Sequence, residues 1–385
     1  MKAVVVPDFA ASVPAMLGPT HGLLSRELVV SAATFSLEEH DARKAVERLR
    51  AAGVFSLLVP AKDGGRAFEG SPEERPSVRA LCVAREALGY VSPMADSIFA
   101  VQGLGSHPLV LTPDAPRRAE ILSEVVRGER VCAFALTEPD AGSDVASMKT
   151  AAVREGDGFV LDGTKVFISN AGIADHYVVF ARVVGAEKPL SAFLVPKDAA
   201  GLRIEKIPMS LEHPLGRLTF TACRVPGAAL IGQVGQGMRL ALGTLDVFRT
   251  SVGAAACGMA RRALDETRTR VKARVQFGKP LADFQLVQAA IAEMATDLDA
   301  ARLLVYRAAW EKDRGQRAAV EVAMAKMFAT EAAQRIIDRA VQLFGGLGVT
   351  SGTVVEQLYR EIRPLRIYEG TTEIQKLIIG GALLG

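Results

Sequence analysis

Apolar positions fall at helical spacing through the first third of the chain, alternate with polar ones through the middle, and return to helical spacing afterwards. Ser36-Leu37-Glu38-Glu39 has the form of a capping box, with Ser36 accepting from the Glu39 amide and the Glu39 side chain reaching back. The helix it opens carries Ala42, Val46, Leu49 and Ala52 along one stripe and ends at Gly53. A short apolar run from Val54 to Pro60 leads to a Lys-Asp-Gly-Gly turn, and residues 71–76 read as a surface loop or helix start. Helical patterns resume over 78–89, 95–104 and 116–126, with His107 and Pro108 in a break. A lone histidine there reads as structural.

From 131 to 232 the period shifts toward two. Residues 152–161 form a hairpin pattern around Gly156-Asp157-Gly158, and Asp162-Gly163 turns the chain into a strand over 165–169. Further strands are predicted over 177–183, 191–195, 202–207 and 218–225, and strands this short suggest a β-barrel or a sandwich. Long helices are predicted over 238–272, 283–312 and 317–344. In the second of these, Phe284, Val287, Ile291, Met294, Leu298, Ala301 and Val305 alternate by three and four, as in the seam of a bundle helix.

Composition narrows the function classes. The net charge of +3 over 385 residues leaves no broad basic field, which argues against a nucleic-acid protein. Cys82, Cys132, Cys223 and Cys257 are far apart and lack flanking histidines, so neither a metal site nor a disulfide framework is expected. The opening residues, broken by Pro7, Asp8 and Pro14, lack a secretory or transit pattern. No stretch reaches the roughly 18 unbroken apolar residues of a membrane span. A cytoplasmic protein is expected.

Candidate chemistry gathers in polar or glycine-bearing islands. In Arg366-Ile367-Tyr368-Glu369-Gly370-Thr371-Thr372-Glu373-Ile374, a carboxylate lies between an aromatic ring and a glycine. Apolar surroundings raise a carboxyl pKa toward the range of a general base, which makes Glu369 the catalytic candidate. The other islands are 133–144, where an apolar strand enters Leu136-Thr137-Glu138-Pro139; 167–172; Arg274-Val275-Gln276-Phe277-Gly278-Lys279-Pro280; and Gln342-Leu343-Phe344-Gly345-Gly346-Leu347-Gly348. The glycines of the last do not fit G-x-G-x-x-G, and they follow a helix rather than a strand.

Taken in order, these motifs resemble the acyl-CoA dehydrogenase family over nearly the whole chain, from about Phe35 onward. The resemblance implies a mainly α fold with a central β domain: an N-terminal α-helical domain over 1–130, a middle β-barrel domain over 131–235 and a C-terminal four-helix bundle over 236–385. It implies FAD, with Phe134, Leu136, Thr137, Ser143, Phe167 and Ser169 around the flavin or its diphosphate. Arg274, Gln276, Phe277, Gln342, Gly345 and Gly346 would meet a neighbouring subunit's cofactor, and Thr371 and Glu373 the diphosphate end. Glu369 takes the base position, removing an α-proton from an acyl thioester while a hydride leaves the β-carbon. Ser143, Asp246, Arg249, Tyr368 and Gly370 are implied substrate contacts. Implied partners are acyl-CoA or an acyl carrier protein, an electron-transferring flavoprotein, and three further copies in a homotetramer.

The chain departs from the family pattern at Phe167, where tryptophan is common, and in the loop Met209–Arg217. Phe248 excludes an alternative base at that position. An oxygen-using oxidase or monooxygenase and a catalytically silent partner subunit are the competing readings.

Overall fold

The computed structural model describes residues 16–385; the proline-broken opening segment lies outside the described residues. Helix α1 (Pro19–Ala32) precedes the first predicted helix and packs Leu24 and Leu28 inward. Helix α2 (Ala42–Ala51) starts later than the capping-box reading, because Asp41 is its cap and accepts from the Arg43 and Lys44 amides. Ser36 instead closes a local turn, accepting from the Glu38 amide at 3.1 Å. Two serines place the next pair: Ser77 caps α3 (Val78–Val91) and Ser92 caps α4 (Pro93–Val110). The predicted break at His107-Pro108 is absent, for both residues lie inside α4. Pro108 stands in the last turn; it removes the bond its N–H would give to the Leu104 carbonyl, and the helix ends two residues on, at Val110. Helix α5 (Arg118–Val126) completes the N-terminal part.

The middle part is one eight-stranded sheet, formed by β1 (Cys132–Ala135), β2 (Ala151–Glu155), β3 (Gly158–Ser169), β4 (His176–Val183), β5 (Leu190–Pro196), β6 (Leu202–Lys206), β7 (Leu215–Val225) and β8 (Leu230–Ile231). Its order is β6-β7-β3-β2-β4-β5-β8, with β1 parallel to β4. The predicted turn at Asp162-Gly163 is a bulge within a continuous β3. Asp162 accepts from the Ala222 amide across the sheet at 2.8 Å, so the strand bends without leaving the ladder. A second register shift, between Lys165 and Ile168, spans Phe167.

Helices α6 (Gly237–Ala273), α7 (Gln285–Asp313) and α8 (Ala319–Phe344) form the C-terminal part, followed by α9 (Val354–Ile362) and α10 (Thr372–Leu384). A hairpin of β9 (Val275–Gln276) and β10 (Lys279–Pro280) joins α6 to α7. Small residues bring α6 against α3: a side chain at Gly258 would meet the Glu86 carbonyl, and one at Gly89 the Ala255 carbonyl. Helix α3 is therefore buried on every side. No helix of the described residues is long and apolar enough to cross a membrane.

Candidate active site

Glu369 stands in a short connection between a 3₁₀ turn ending at Arg366 and the start of α10. Both ends of the connection are braced on Glu331 of α8. Arg366 donates to it at 2.8 Å and the Thr372 hydroxyl at 2.6 Å. Thr371 caps α10 with its hydroxyl. Between these braces Glu369 adopts φ +54 and Gly370 φ +93. The left-handed region is uncommon for a residue with a side chain and persists only where its surroundings enforce it.

Three side chains from three helices enforce it. Arg249 of α6 donates from Nε to the Glu369 carbonyl at 2.9 Å. Lys326 of α8 donates from Nζ to the Gly370 carbonyl at 2.8 Å, and Gln375 of α10 donates to the same oxygen at 3.0 Å. A side chain at Gly370 would come within 2.7 Å of that Gln375 nitrogen. The cations thus grip the backbone, and the carboxylate is left over. Its Oε2 is buried and has no hydrogen-bond partner among the described residues.

Burial pushes the Glu369 carboxyl above the usual carboxylate range, against the pull of Arg85, Arg249 and Lys326, while Asp96 pushes it further up. Burial brings the fully enclosed Lys326 down to about 8, with Glu369 opposing the fall. A half-buried carboxylate in a fixed position, with raised proton affinity and an enclosed, unpartnered Oε2, is equipped to take a proton from carbon.

The sheet faces this loop through the β6–β7 connection. His213 bonds Glu361 of α9 at 2.9 Å, and Arg360 donates to the Ser210 carbonyl at 2.6 Å. Two residues beyond His213, Leu215 pairs with Ser169 at the end of β3. The Val166 amide donates to the Thr137 carbonyl at 3.0 Å, so the ends of β1 and β3 lie side by side. Lys165 ties them from below, bonding Glu138 at 2.8 Å in a buried pair. At the bulge Phe167 takes φ +57 and its ring is 62 % exposed.

The structure therefore gathers Arg249, Tyr368, Glu369 and Gly370 at one point, and Thr137, Phe167 and Ser169 together at the ends of β1 and β3. Phe134 is half-buried against Phe180 at 4.9 Å, Leu136 is buried, and Ser143 is exposed on the loop after β1. Asp246, one turn before Arg249, pairs with Lys312 of α7. Arg274, Gln276 and Phe277 lie on the exposed β9–β10 hairpin, and Gln342, Gly345 and Gly346 at the exposed end of α8. Thr371 and Glu373 open α10. Sequence reading missed Lys326, Gln375, Arg85 and Asp96. Lys326, Arg85 and Asp96 each interrupt the buried stripe of their helices, which was the available signal; Gln375 has no such stripe around it.

No group of His, Cys, Asp and Glu among the described residues is arranged to hold a metal ion. The chain matches the family profiles for the acyl-CoA dehydrogenase middle domain over residues 133–223 and C-terminal domain over residues 235–384. It is 36% identical over 369 residues to the probable acyl-CoA dehydrogenase fadE25 of Mycobacterium leprae, covering 94% of this chain and 92% of that protein. It is 35% identical over 349 residues to the caffeyl-CoA reductase-Etf complex subunit CarC of Acetobacterium woodii, covering 88% and 89%. Butyryl-CoA dehydrogenase from Megasphaera elsdenii superposes with a TM-score of 0.88 at 30% identity, covering 96% of this chain and 99% of that one. The protein belongs to the acyl-CoA dehydrogenase family and is an FAD-dependent oxidoreductase acting on acyl-CoA.

Proposed function

We propose that the protein removes one hydrogen from each of the α- and β-carbons of an acyl-CoA thioester, giving the trans-2-enoyl-CoA, with Glu369 as the base. The observation that carries this reading is the buried, unpartnered Oε2 of Glu369, held by backbone clamps and not neutralised by an ion pair.

The residues at the ends of β1 and β3 suit a flat ring with polar edges. Phe167 projects an exposed aromatic face, and Thr137 and Ser169 stand beside it. In this reading Phe134, Leu136, Thr137, Ser143, Phe167 and Ser169 hold the flavin end of FAD, and Thr371 and Glu373 the diphosphate end. Bound FAD supplies the two-electron acceptor that takes the β-hydrogen with its electron pair. Glu369 takes the α-proton on Oε2, and the electrons of that C–H bond form the new double bond. Arg249 and Lys326 keep the carboxylate from drifting, since both hold the backbone that carries it. Tyr368, Gly370, Asp246 and Ser143 border the thioester.

Exposed apolar side chains support assembly into a homotetramer. Phe277 is 94 % exposed, and Leu286 on α7 and Leu377 on α10 are also exposed. In such an assembly Arg274, Gln276, Phe277, Gln342, Gly345 and Gly346 reach a neighbour's FAD. Electron-transferring flavoprotein is the proposed partner, supported by the relative named for its Etf complex. The four cysteines are free and buried, which suits a reducing, cytoplasmic compartment.

Anaerobic mixing of the FAD-loaded protein with a panel of acyl-CoAs tests the reading. Loss of the oxidised flavin absorbance with appearance of enoyl-CoA is expected, without rapid peroxide formation when air returns. If no acyl thioester bleaches the flavin, the reading fails; rapid peroxide would make the protein an oxidase.

A further inference from the structure

Helix α3 carries two adjacent charges, Arg85 and Glu86, into a fully enclosed position. They point to different partners. Glu86 accepts from Arg302 at 2.5 Å and from the Tyr306 hydroxyl at 2.6 Å, deep between α3 and α7. Arg85 forms a two-bond fork with Asp96 of α4, Nε to Oδ1 at 2.8 Å and Nη2 to Oδ2 at 2.9 Å. Neither member of that pair is more than 1 % exposed. Nη1 of Arg85 donates to the Ser251 hydroxyl at 3.1 Å.

Ser251 lies two residues after Arg249, the residue that grips the Glu369 carbonyl. On its other side the positive charge of Arg85 acts on the hydroxyl of Tyr368, the immediate neighbour of Glu369, opposing the burial that pushes that hydroxyl's pKa up. The pair is thus attached to the α6 turn carrying Arg249 and acts through its charge on Tyr368. Arg85 also exerts the largest positive pull on the Glu369 carboxylate, and Asp96 acts on it with the opposite sign. A buried ion pair is a poor means of stabilisation, because apolar residues of similar volume often do as well or better. Its position argues for another use.

We propose that the Arg85–Asp96 pair is a positioning element for the reaction: it orients Tyr368 and the Arg249 turn around Glu369 and sets the balance of charge against which that carboxylate exchanges its proton. The inference rests on Glu369 being the base. The other charged or titratable groups facing the carboxylate are Arg249 of α6, Lys326 of α8 and Tyr368 of its own loop. His213 of the β6–β7 connection, paired with Glu361 of α9, faces Asp96. These stay in place in the variants below.

Asp96→Asn leaves Arg85 uncompensated, and Arg85→Met leaves Asp96 uncompensated. The two changes therefore move the protonation midpoint of Glu369 in opposite directions. A purely structural pair gives no such sign reversal. The midpoint is read in the FAD-loaded protein without substrate, by infrared titration of the carboxyl band that Glu369→Gln abolishes. The pH profile of single-turnover flavin reduction provides a second reading. The expected shifts are about one pH unit toward acid for Asp96→Asn and about one toward alkali for Arg85→Met, with Arg85→Lys close to the parent. Should either single variant fail to fold, Arg85→Met/Asp96→Met replaces the pair by apolar side chains. Because Arg85 acts on Glu369 more strongly than Asp96 does, the double variant shifts toward alkali, by less than Arg85→Met alone. Shifts of the same sign in both single variants, no shift in folded singles, or an acid or absent shift in the double variant overturns the proposal. If the infrared midpoints move as stated but no acyl-CoA bleaches the flavin, the pair's control of the Glu369 charge stands and the proposed reaction falls.

Discussion

Arg249 donates to the carbonyl of Glu369 and not to its carboxylate, at 2.9 Å. The distinction decides what the arginine does. An ion pair with the carboxylate would hold the carboxyl charged and weaken it as a base. A bond to the carbonyl fixes the residue's backbone and leaves Oε2 without a partner. Lys326 repeats the arrangement one residue on, at the Gly370 carbonyl.

Truncating the Lys326 clamp therefore impairs the reaction with little effect on substrate affinity. A lost charge-assisted bond is worth about 1.5–3 kcal/mol. Lys326→Met is expected to slow flavin reduction about ten- to a hundredfold while FAD stays bound. Rapid-mixing kinetics with a saturating acyl-CoA measures this. A parental rate in Lys326→Met would show that the loop holds its shape without the lysine.

Gly370 has two constraints, φ +93 and the Gln375 nitrogen 2.7 Å from where a β-carbon would stand. Gly370→Ala must strain the backbone and displace Gln375 from the carbonyl it bonds. The expected cost is about 1–3 kcal/mol of stability, visible as a lowered denaturant midpoint, with flavin reduction falling in parallel.

The seam between sheet and helices depends on pH through His213. Burial opposes its charge, yet the bond to Glu361 and the field of Glu361 hold its pKa above the ordinary 6.5. A histidine whose folded pKa exceeds its unfolded value binds protons more tightly when folded. Its stabilisation is present in full below 6.5 and is lost as pH rises through the folded value. The melting-temperature gap between the parent and His213→Gln should be wider at about pH 6 than at about pH 9. An equal gap at both would show that His213 is not charged in this pairing.

Most of the architecture was legible in the pattern of apolar residues. The helical–sheet–helical order and the three long helices α6, α7 and α8 followed from period alone. Local chemistry misled where two signals competed. Ser36 read as the cap, but the helix starts after Asp41, whose side chain accepts from the Arg43 and Lys44 amides. Pro108 suggested a helix break, but α4 runs two residues past it before ending at Val110. Asp162-Gly163 looked like a turn because a bulge uses the same residues.

At the site, Glu369 stood out because an acid beside a glycine in an apolar run is conspicuous. Lys326, Arg85 and Asp96 did not. Helical spacing shows that a charge falls on a buried stripe, but not which loop from across the chain it meets: Lys326 and Gly370 are 44 residues apart in sequence.

The central claim is that one buried carboxylate removes the α-proton. Glu369→Gln keeps the shape of the side chain and removes its ability to accept that proton. The FAD-loaded variant mixed anaerobically with an acyl-CoA that bleaches the parent should retain its oxidised flavin spectrum. The expected loss in the rate of reduction is at least about 10²–10⁴-fold, with acyl-CoA binding retained. Reduction of the Glu369→Gln flavin at the parental rate would contradict the account.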